Sequence, residues 1–243
     1  MPARLESTRL PRKVLADIGG KPMLQRVLEG SRLAPSVSEV VLCTDSAEIS
    51  HLARDWGVRV IMTSPGCTSG SERIASVVDQ IDADIILNVQ GDQPFVDPHV
   101  IESMCGVFRQ RVPPPDVVTP VYRLPAEKLG NPDVVKVVVA KDGRALYFSR
   151  SAVPHLRGDS DTPLLAGGIH WGHVGLYGFR RDILQSWMRL APSPLEAAEK
   201  LEQLRLLENG ITIDTYEIDA RTRHMLSVDN QADLEVARGM VNQ

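Results

Sequence analysis

The chain has 243 residues, with 31 acidic against 27 basic side chains and a formal net charge of -4, a balance that excludes a general nucleic-acid coat with a basic excess. It is 43% hydrophobic and 5% aromatic, and no apolar run approaches the roughly 18 to 20 residues that span a bilayer, so disorder and membrane insertion are excluded too. Cys43, Cys67 and Cys105 are too scattered for a disulfide framework or a metal knuckle, and with no signal-peptide core at the start the expectation is a single cytoplasmic domain over residues 1–243.

In chain order, a basic loop comes first and leads to a helix at about Pro22. Val40 to Cys43 reads as a buried strand, followed by a helix that Asp45 or Ser46 can cap and that carries Ile49, Leu52 and Ala53 on one face. Val58, Val60 and Met62 alternate as a second strand, and Glu72 to Gln80 has helical spacing. Ile85 to Val89 is a further strand that runs into Gln90-Gly91-Asp92. Asp97-Pro98 supplies a cap and a first-turn proline for a helix to about Gln110. The alternation of short strands and helices predicts an α/β fold with a Rossmann-like, mainly parallel sheet flanked by helices.

After Asp116 the pattern changes. Val117 to Val121, Val134 to Val139 and Arg144 to Phe148 are strand-like with little helix between them, which predicts a smaller antiparallel insertion over about 117–180. Arg157 to Thr162 reads as an exposed loop. Ser193-Pro194-Leu195-Glu196 is a capping box, and the helix it begins is expected to run to Gly210, with Leu201, Leu204 and Leu207 facing the core.

Two segments carry chemistry. Arg4, Arg9, Arg12 and Lys13 sit among small residues in one loop, the densest basic cluster in the chain, and such a loop suits a triphosphate whose charge must be neutralised. The competing reading is a solvated basic loop. Asp92 lies beyond the carboxyl end of a strand, where open α/β sheets bind ligands, although Gly-Asp also favours a plain turn.

Pro2-Ala3-Arg4, Ser7-Thr8-Arg9-Leu10-Pro11, Lys13 and Gly20-Lys21-Pro22-Met23 together resemble the nucleotide-binding signature of the CMP-Kdo synthetases, where Kdo is 3-deoxy-manno-octulosonate. The likeness continues through Ser69-Gly70-Ser71-Glu72-Arg73, Asn88 to Asp92, Ala145 to Arg150, His173 to Tyr177 and Glu202 to Arg205, in the family's order, to about Asp229. The resemblance implies a nucleotidyltransferase-type fold and the transfer of CMP from CTP to an acidic eight-carbon sugar for lipopolysaccharide synthesis. It implies that Arg4, Arg9 and Lys13 grip the phosphates, with Lys21 a further phosphate or structural contact, and that Pro2, Ala3, Ser69 and Arg73 surround the nucleoside. Asp92 and Asp229 are implied to hold Mg2+, and Asp229 also reads as a cap of the last helix. Arg150 is the implied partner of the sugar carboxylate, with Gln90, His173, Tyr177, Glu202 and Gln203 around the hydroxyls. A homodimer is implied as well.

The chain departs from the pattern at its start, where a hydrophobic strand normally precedes Pro-Ala-Arg. Its absence predicts unpaired neighbouring strand edges and reads as a misassigned start or a true truncation. Arg12 replaces a usual glycine, Val14 a usual proline, and Asn230-Gln231 a usual Thr-Pro. Two alternatives stay open at this point: the same reaction on an 8-amino Kdo analogue, and an inactive nucleotide-binding homologue.

Overall fold

The structure is a computed structural model and describes residues 1–7, 9–157, 168–219 and 226–241. In chain order come β1 (Pro2–Ala3), β2 (Asp17–Ile18), β3 (Lys21–Pro22), α1 (Met23–Arg32), β4 (Val41–Thr44), α2 (Ala47–Asp55), β5 (Arg59–Met62) and α3 (Gly70–Ala75). There follow β6 (Ile85–Asn88), α4 (Pro98–Gln110), β7 (Val117–Arg123), β8 (Lys136–Val139), β9 (Ala145–Ser149), β10 (Trp171–His173) and β11 (Tyr177–Arg180). The last elements are α5 (Arg181–Ser186), α6 (Pro194–Glu199), α7 (Gln203–Glu208), β12 (Ile213–Glu217) and α8 (Gln231–Val241).

The α/β expectation holds. Strands β1, β4 and β5 pair in parallel as one sheet, in the order β1-β4-β5. A larger sheet runs β6-β11-β7-β10-β8-β9, with β12 added in parallel beside β7 and antiparallel pairing elsewhere. Strands from 117 to 180 thus continue the same sheet as β6. Successive residues of β4 serve opposite faces, as strand geometry requires: Leu42 joins the core under α1 and α4, whereas Cys43 joins the core with Ile74, Ile86, Phe148, Phe179 and Trp187. A third cluster of Ile18, Met23, Val228, Leu234 and Ala237 fastens α8 against the β2-β3 hairpin. Asp97 accepts the His99 amide at 2.8 Å and Pro98 takes the first helical position, so α4 starts where expected. It can lie on β11 because residue 178 is glycine: a Cβ there would stand 2.6 Å from Phe108 and 2.9 Å from the Met104 sulfur.

At the start of the chain, Pro2 and Ala3 pair with Cys43 and Thr44, and the Met1 ammonium donates to the Val41 carbonyl at 2.8 Å. Burial pushes that amine's pKa down. Strand β6 stands at one end of the larger sheet and among the described residues does not pair with β1, and residues near both, Met1, Val41, Ile85 and Leu87 among them, line a cavity of about 150 Å³.

Two helices depart from the sequence reading. The segment from Glu72 to Gln80 is α3 to Ala75 and then a 3-10 turn from Val78, because the Ser76 hydroxyl turns back onto the Arg73 carbonyl at 2.8 Å. The helix begun by the Ser193–Glu196 capping box does not reach Gly210. Lys200 adopts a left-handed φ of 54°, which ends α6 and drives Leu201 into the core before α7 begins. Of the loop expected from Arg157 to Thr162, Arg157 is exposed and residues 158–162 lie outside the described residues.

Candidate active site

A chamber of about 290 Å³ opens beyond the carboxyl ends of β1 and β6. Pro2, Ala3, Arg4, Arg9, Lys13, Ser69 and Arg73 all line it, so the structure brings these residues together. Lys13 starts a 3-10 turn that follows Arg12, whose φ of 56° is left-handed and explains why glycine suits that place. The Lys13 ammonium donates to Asp92 Oδ2 at 2.9 Å and to Asp229 Oδ1 at 3.1 Å. Burial alone would lower its pKa, but attraction and hydrogen bonds from the two carboxylates outweigh this and raise it. Arg9 reaches the same Asp229 oxygen at 2.9 Å, while Arg4 is exposed on the rim.

The two aspartates meet although far apart in sequence. Asp92 ends the turn after β6, where residue 91 is glycine because a Cβ would press on the Pro2 carbonyl at 3.3 Å. The Val228 amide donates to the Asp92 carbonyl at 2.9 Å, which pins the approach to α8 beside that turn. Asp229 is not the cap of α8, contrary to one sequence reading. Asn230 Oδ1 accepts the Asp233 amide at 3.0 Å, and Asp233 accepts the amides of residues 229 and 230, so the Asp229 carboxylate stays free for the cations.

A second chamber of about 590 Å³ adjoins the first, and Ser69, Gly70, Gln90, Asp92 and Asp229 belong to the rims of both. Gln90, Arg150, His173, Tyr177, Glu202 and Gln203, expected around the sugar, all line it. Charged side chains such as Arg150, Asp133 and Lys200 line it together with buried groups held towards their neutral forms. Burial lowers the His173 pKa to about 3, so the ring is neutral, and its Nε2 lies 2.9 Å from Thr119 Oγ1. Thr119 Oγ1 is also 2.8 Å from the Leu176 carbonyl, to which only it can donate, so the network assigns the histidine proton to Nε2. Burial, with the neighbouring Glu202 charge, raises Tyr177 well above the ordinary phenol. Glu202 follows the Lys200 break; burial raises its pKa against the hydrogen bonds of Ser69 and Ser71. Gln90 donates to Asn88, Asn88 to Ser71 and Ser71 to Glu202, at 3.1, 3.0 and 2.8 Å. Among the described residues, Glu202 Oε2 and Gln203 Nε2 are buried without a hydrogen-bond partner, so each keeps unused capacity for a polar ligand.

Two expected residues act differently from the bare resemblance. Lys21 lines neither chamber and pairs with Glu29 at 2.7 Å, which makes it a structural contact. Arg73 lines the first chamber but its buried guanidinium is held by Asp45 at 3.0 Å and by Thr63. Sequence reasoning also missed Lys136 and Glu199. The Lys136 side chain is fully buried, and its ammonium donates to the carbonyls of Asn131 at 2.9 Å, Val134 at 2.7 Å and Arg150. The Glu199 carboxylate accepts the Ser149 hydroxyl at 2.6 Å and the Arg150 amide at 2.9 Å. The available signal was a lone cation within the otherwise apolar run Val134-Val135-Lys136-Val137-Val138-Val139, where a buried ammonium must find internal acceptors.

Asp92 and Asp229 already converge on one cationic point, the Lys13 ammonium, and among the described residues no larger group of acidic, histidine or cysteine ligands gathers. Two carboxylates at the mouth of a phosphate-sized basic chamber fit Mg2+, which commonly takes one or two protein carboxylates and fills its other positions with water and phosphate oxygens.

A strand-end chamber with a basic loop and paired aspartates, opening into a second polar chamber, is the architecture of a two-substrate nucleotidyltransferase. Residues 1–213 match the profile of the family described as "Cytidylyltransferase". The 3-deoxy-manno-octulosonate cytidylyltransferase of Myxococcus xanthus is 43% identical over 242 residues, 99% of this chain and 94% of that relative. The enzyme of the same name from Chlorobium limicola is 43% identical over 246 residues, covering 100% and 96%. A solved structure of CMP:2-keto-3-deoxy-manno-octonic acid synthetase complexed with CTP superposes with a TM-score of 0.91 at 39% identity, covering 100% of this chain and 96% of that one. The chain belongs to the cytidylyltransferase family, in the group of the 3-deoxy-manno-octulosonate cytidylyltransferases.

Proposed function

We propose that this chain transfers CMP from CTP to the anomeric hydroxyl of 3-deoxy-manno-octulosonate, releasing pyrophosphate, as a cytoplasmic, homodimeric enzyme of lipopolysaccharide synthesis. Among the described residues no helix is long and apolar enough to cross a membrane. The observation that carries the reading is the shared rim: a nucleotide in the basic chamber and a sugar in the second would meet at Asp92 and Asp229.

CTP takes the first chamber, with its phosphates against Arg4, Arg9 and Lys13 and its nucleoside against Pro2, Ala3, Ser69 and the anchored Arg73. Asp92 and Asp229 hold Mg2+, which when bound neutralises phosphate charge and polarises the group under attack. Without ligand, Lys13 spans the place between these carboxylates. Transfer of that ammonium to the leaving pyrophosphate oxygens then supplies a donor where negative charge develops. Arg150 takes the sugar carboxylate, for which a guanidinium offers two parallel donors. Neutral His173, Tyr177 and the pair Glu202–Gln203 take hydroxyl groups, which orients the anomeric oxygen for in-line attack on the α-phosphorus.

The test is pyrophosphate release by the purified chain given CTP, Mg2+ and Kdo. Release that needs all three, with CMP-Kdo as product and CTP preferred over the other nucleoside triphosphates, is the expected result. Release that does not depend on Kdo would sink the proposal. Sedimentation at micromolar concentration should give twice the monomer mass, and a monomer would remove the dimer from it.

A further inference from the structure

The buried ammonium of Lys136 stands outside the chemistry described above, yet it holds the frame of the second chamber together. Strand β8 is paired to β9 on one edge and β10 on the other, and the Lys136 side chain has no exposed surface. An ammonium there is tolerated only if its three N–H donors are used, and they are. Two go to the carbonyls of Asn131 and Val134, in the loop before β8, and the third goes to the Arg150 carbonyl at the end of β9. The same loop touches Arg150 a second time, because Arg150 Nη1 donates to the Pro132 carbonyl at 3.1 Å, and Nε donates to the Glu199 carbonyl at 2.9 Å. Loop residues Val134 and Val135 line the second chamber with Arg150.

We propose that Lys136 is a positioning residue for the acidic sugar: by tying the 131–134 loop to the Arg150 backbone, it fixes the guanidinium in the orientation that receives a carboxylate. This rests on the assignment of Arg150 to the sugar carboxylate. No other common side chain can replace it, since an amide has two donors and a thioether none, while a guanidinium would not fit a site closed on all sides. The effect falls on sugar binding and leaves the nucleotide side alone, because Lys136, its carbonyl partners and Arg150 line no part of the first chamber.

The experiment is a kinetic double-mutant cycle on the full chain with Lys136→Met, Arg150→Ala and the pair, read as KM for Kdo, KM for CTP and melting temperature. Arg150→Ala raises KM for Kdo about a hundredfold, and Lys136→Met raises it about tenfold with KM for CTP within twofold of the parent, as expected when a distant contact misplaces a binding group. In the Arg150→Ala background, Lys136→Met then adds less than twofold. An equal rise of both KM values, or a tenfold effect that persists without the arginine, would overturn the proposal and leave Lys136 a structural residue. If Arg150→Ala leaves KM for Kdo unchanged, the arginine itself is misassigned and the proposal falls with it. Lys136→Gln, which keeps two donors, serves if the methionine variant does not fold, and is expected to fall between it and the parent in KM for Kdo alone.

Discussion

The two chambers handle polarity in opposite ways. On the nucleotide side, charge is met by charge: Lys13 and Arg9 lie on Asp92 and Asp229 at 2.9 to 3.1 Å, in a mouth that stays partly open to water. On the sugar side, burial holds back the charge of the groups beside Arg150, with His173 neutral, Glu202 biased towards its protonated form and, among the described residues, Glu202 Oε2 and Gln203 Nε2 without hydrogen-bond partners. A highly charged ligand needs cations that can be released from internal partners, whereas a ligand rich in hydroxyls is read by fixed neutral donors and acceptors.

The strongest way to break the charged side is Lys13→Met. Pyrophosphate release should fall about a thousandfold in kcat, the scale for losing a donor to developing charge. The freed aspartates should also bind Mn2+ more tightly in the absence of nucleotide, as seen by electron spin resonance. A fall below tenfold would mean that the ammonium only neutralises the carboxylates.

Gly172→Ala attacks the other side. Gly172 on β10 sits opposite Tyr122, and a Cβ would overlap the phenol ring, which lines the second chamber. Overpacking of this kind costs about 1–3 kcal/mol and would push the ring towards the sugar, so KM for Kdo should rise roughly tenfold with KM for CTP unchanged.

Glu202→Gln sharpens the contrast through pH. The folded state raises this carboxyl's pKa, so its contribution to stability is full at low pH and is lost as pH rises through the folded value. A neutral amide avoids that loss. The variant should melt about 2–4 °C above the parent at pH 8, with the gap closing below about pH 4.5. A constant gap across pH would contradict burial as the cause.

The smallest effect belongs to Arg12→Gly. It relieves a left-handed φ of 56° but removes the exposed pair with Glu48 at 3.1 Å, two terms of about 1 kcal/mol or less each that oppose one another. Melting should shift by under about 3 °C, and kcat should stay within twofold.

Much of this arrangement is legible in the chain. The bounds of α4 follow from Asp97-Pro98, and Ser193 with Glu196 forms the expected capping box, because caps are local chemistry. Strands β4 and β6 lie within a residue or so of their apolar runs. The ordered motifs fall together in space: Arg4, Arg9, Lys13, Ser69 and Arg73 line one chamber and Gln90, Arg150, His173, Tyr177, Glu202 and Gln203 the other, while Lys21 lines neither. What stayed hidden depends on tertiary contacts. The break at Lys200 needs the pull of Leu201 into the core, and the capping role of Asn230 in place of Asp229 is a choice between adjacent capping residues settled by Asp233. Lys136 is buried because the carbonyls of Asn131, Val134 and Arg150 gather around its ammonium, contacts that no spacing within β8 reveals.

The common rim of Ser69, Gly70, Gln90, Asp92 and Asp229 has a consequence for inhibitor design. Because the two chambers share these five lining residues, one molecule joining a cytidine to an acidic sugar through a short linker would reach both. Once its first half is seated, the second half meets its own chamber at an effective concentration in the millimolar range. Such a compound would combine two modest affinities into one tight one and would compete with both substrates at once.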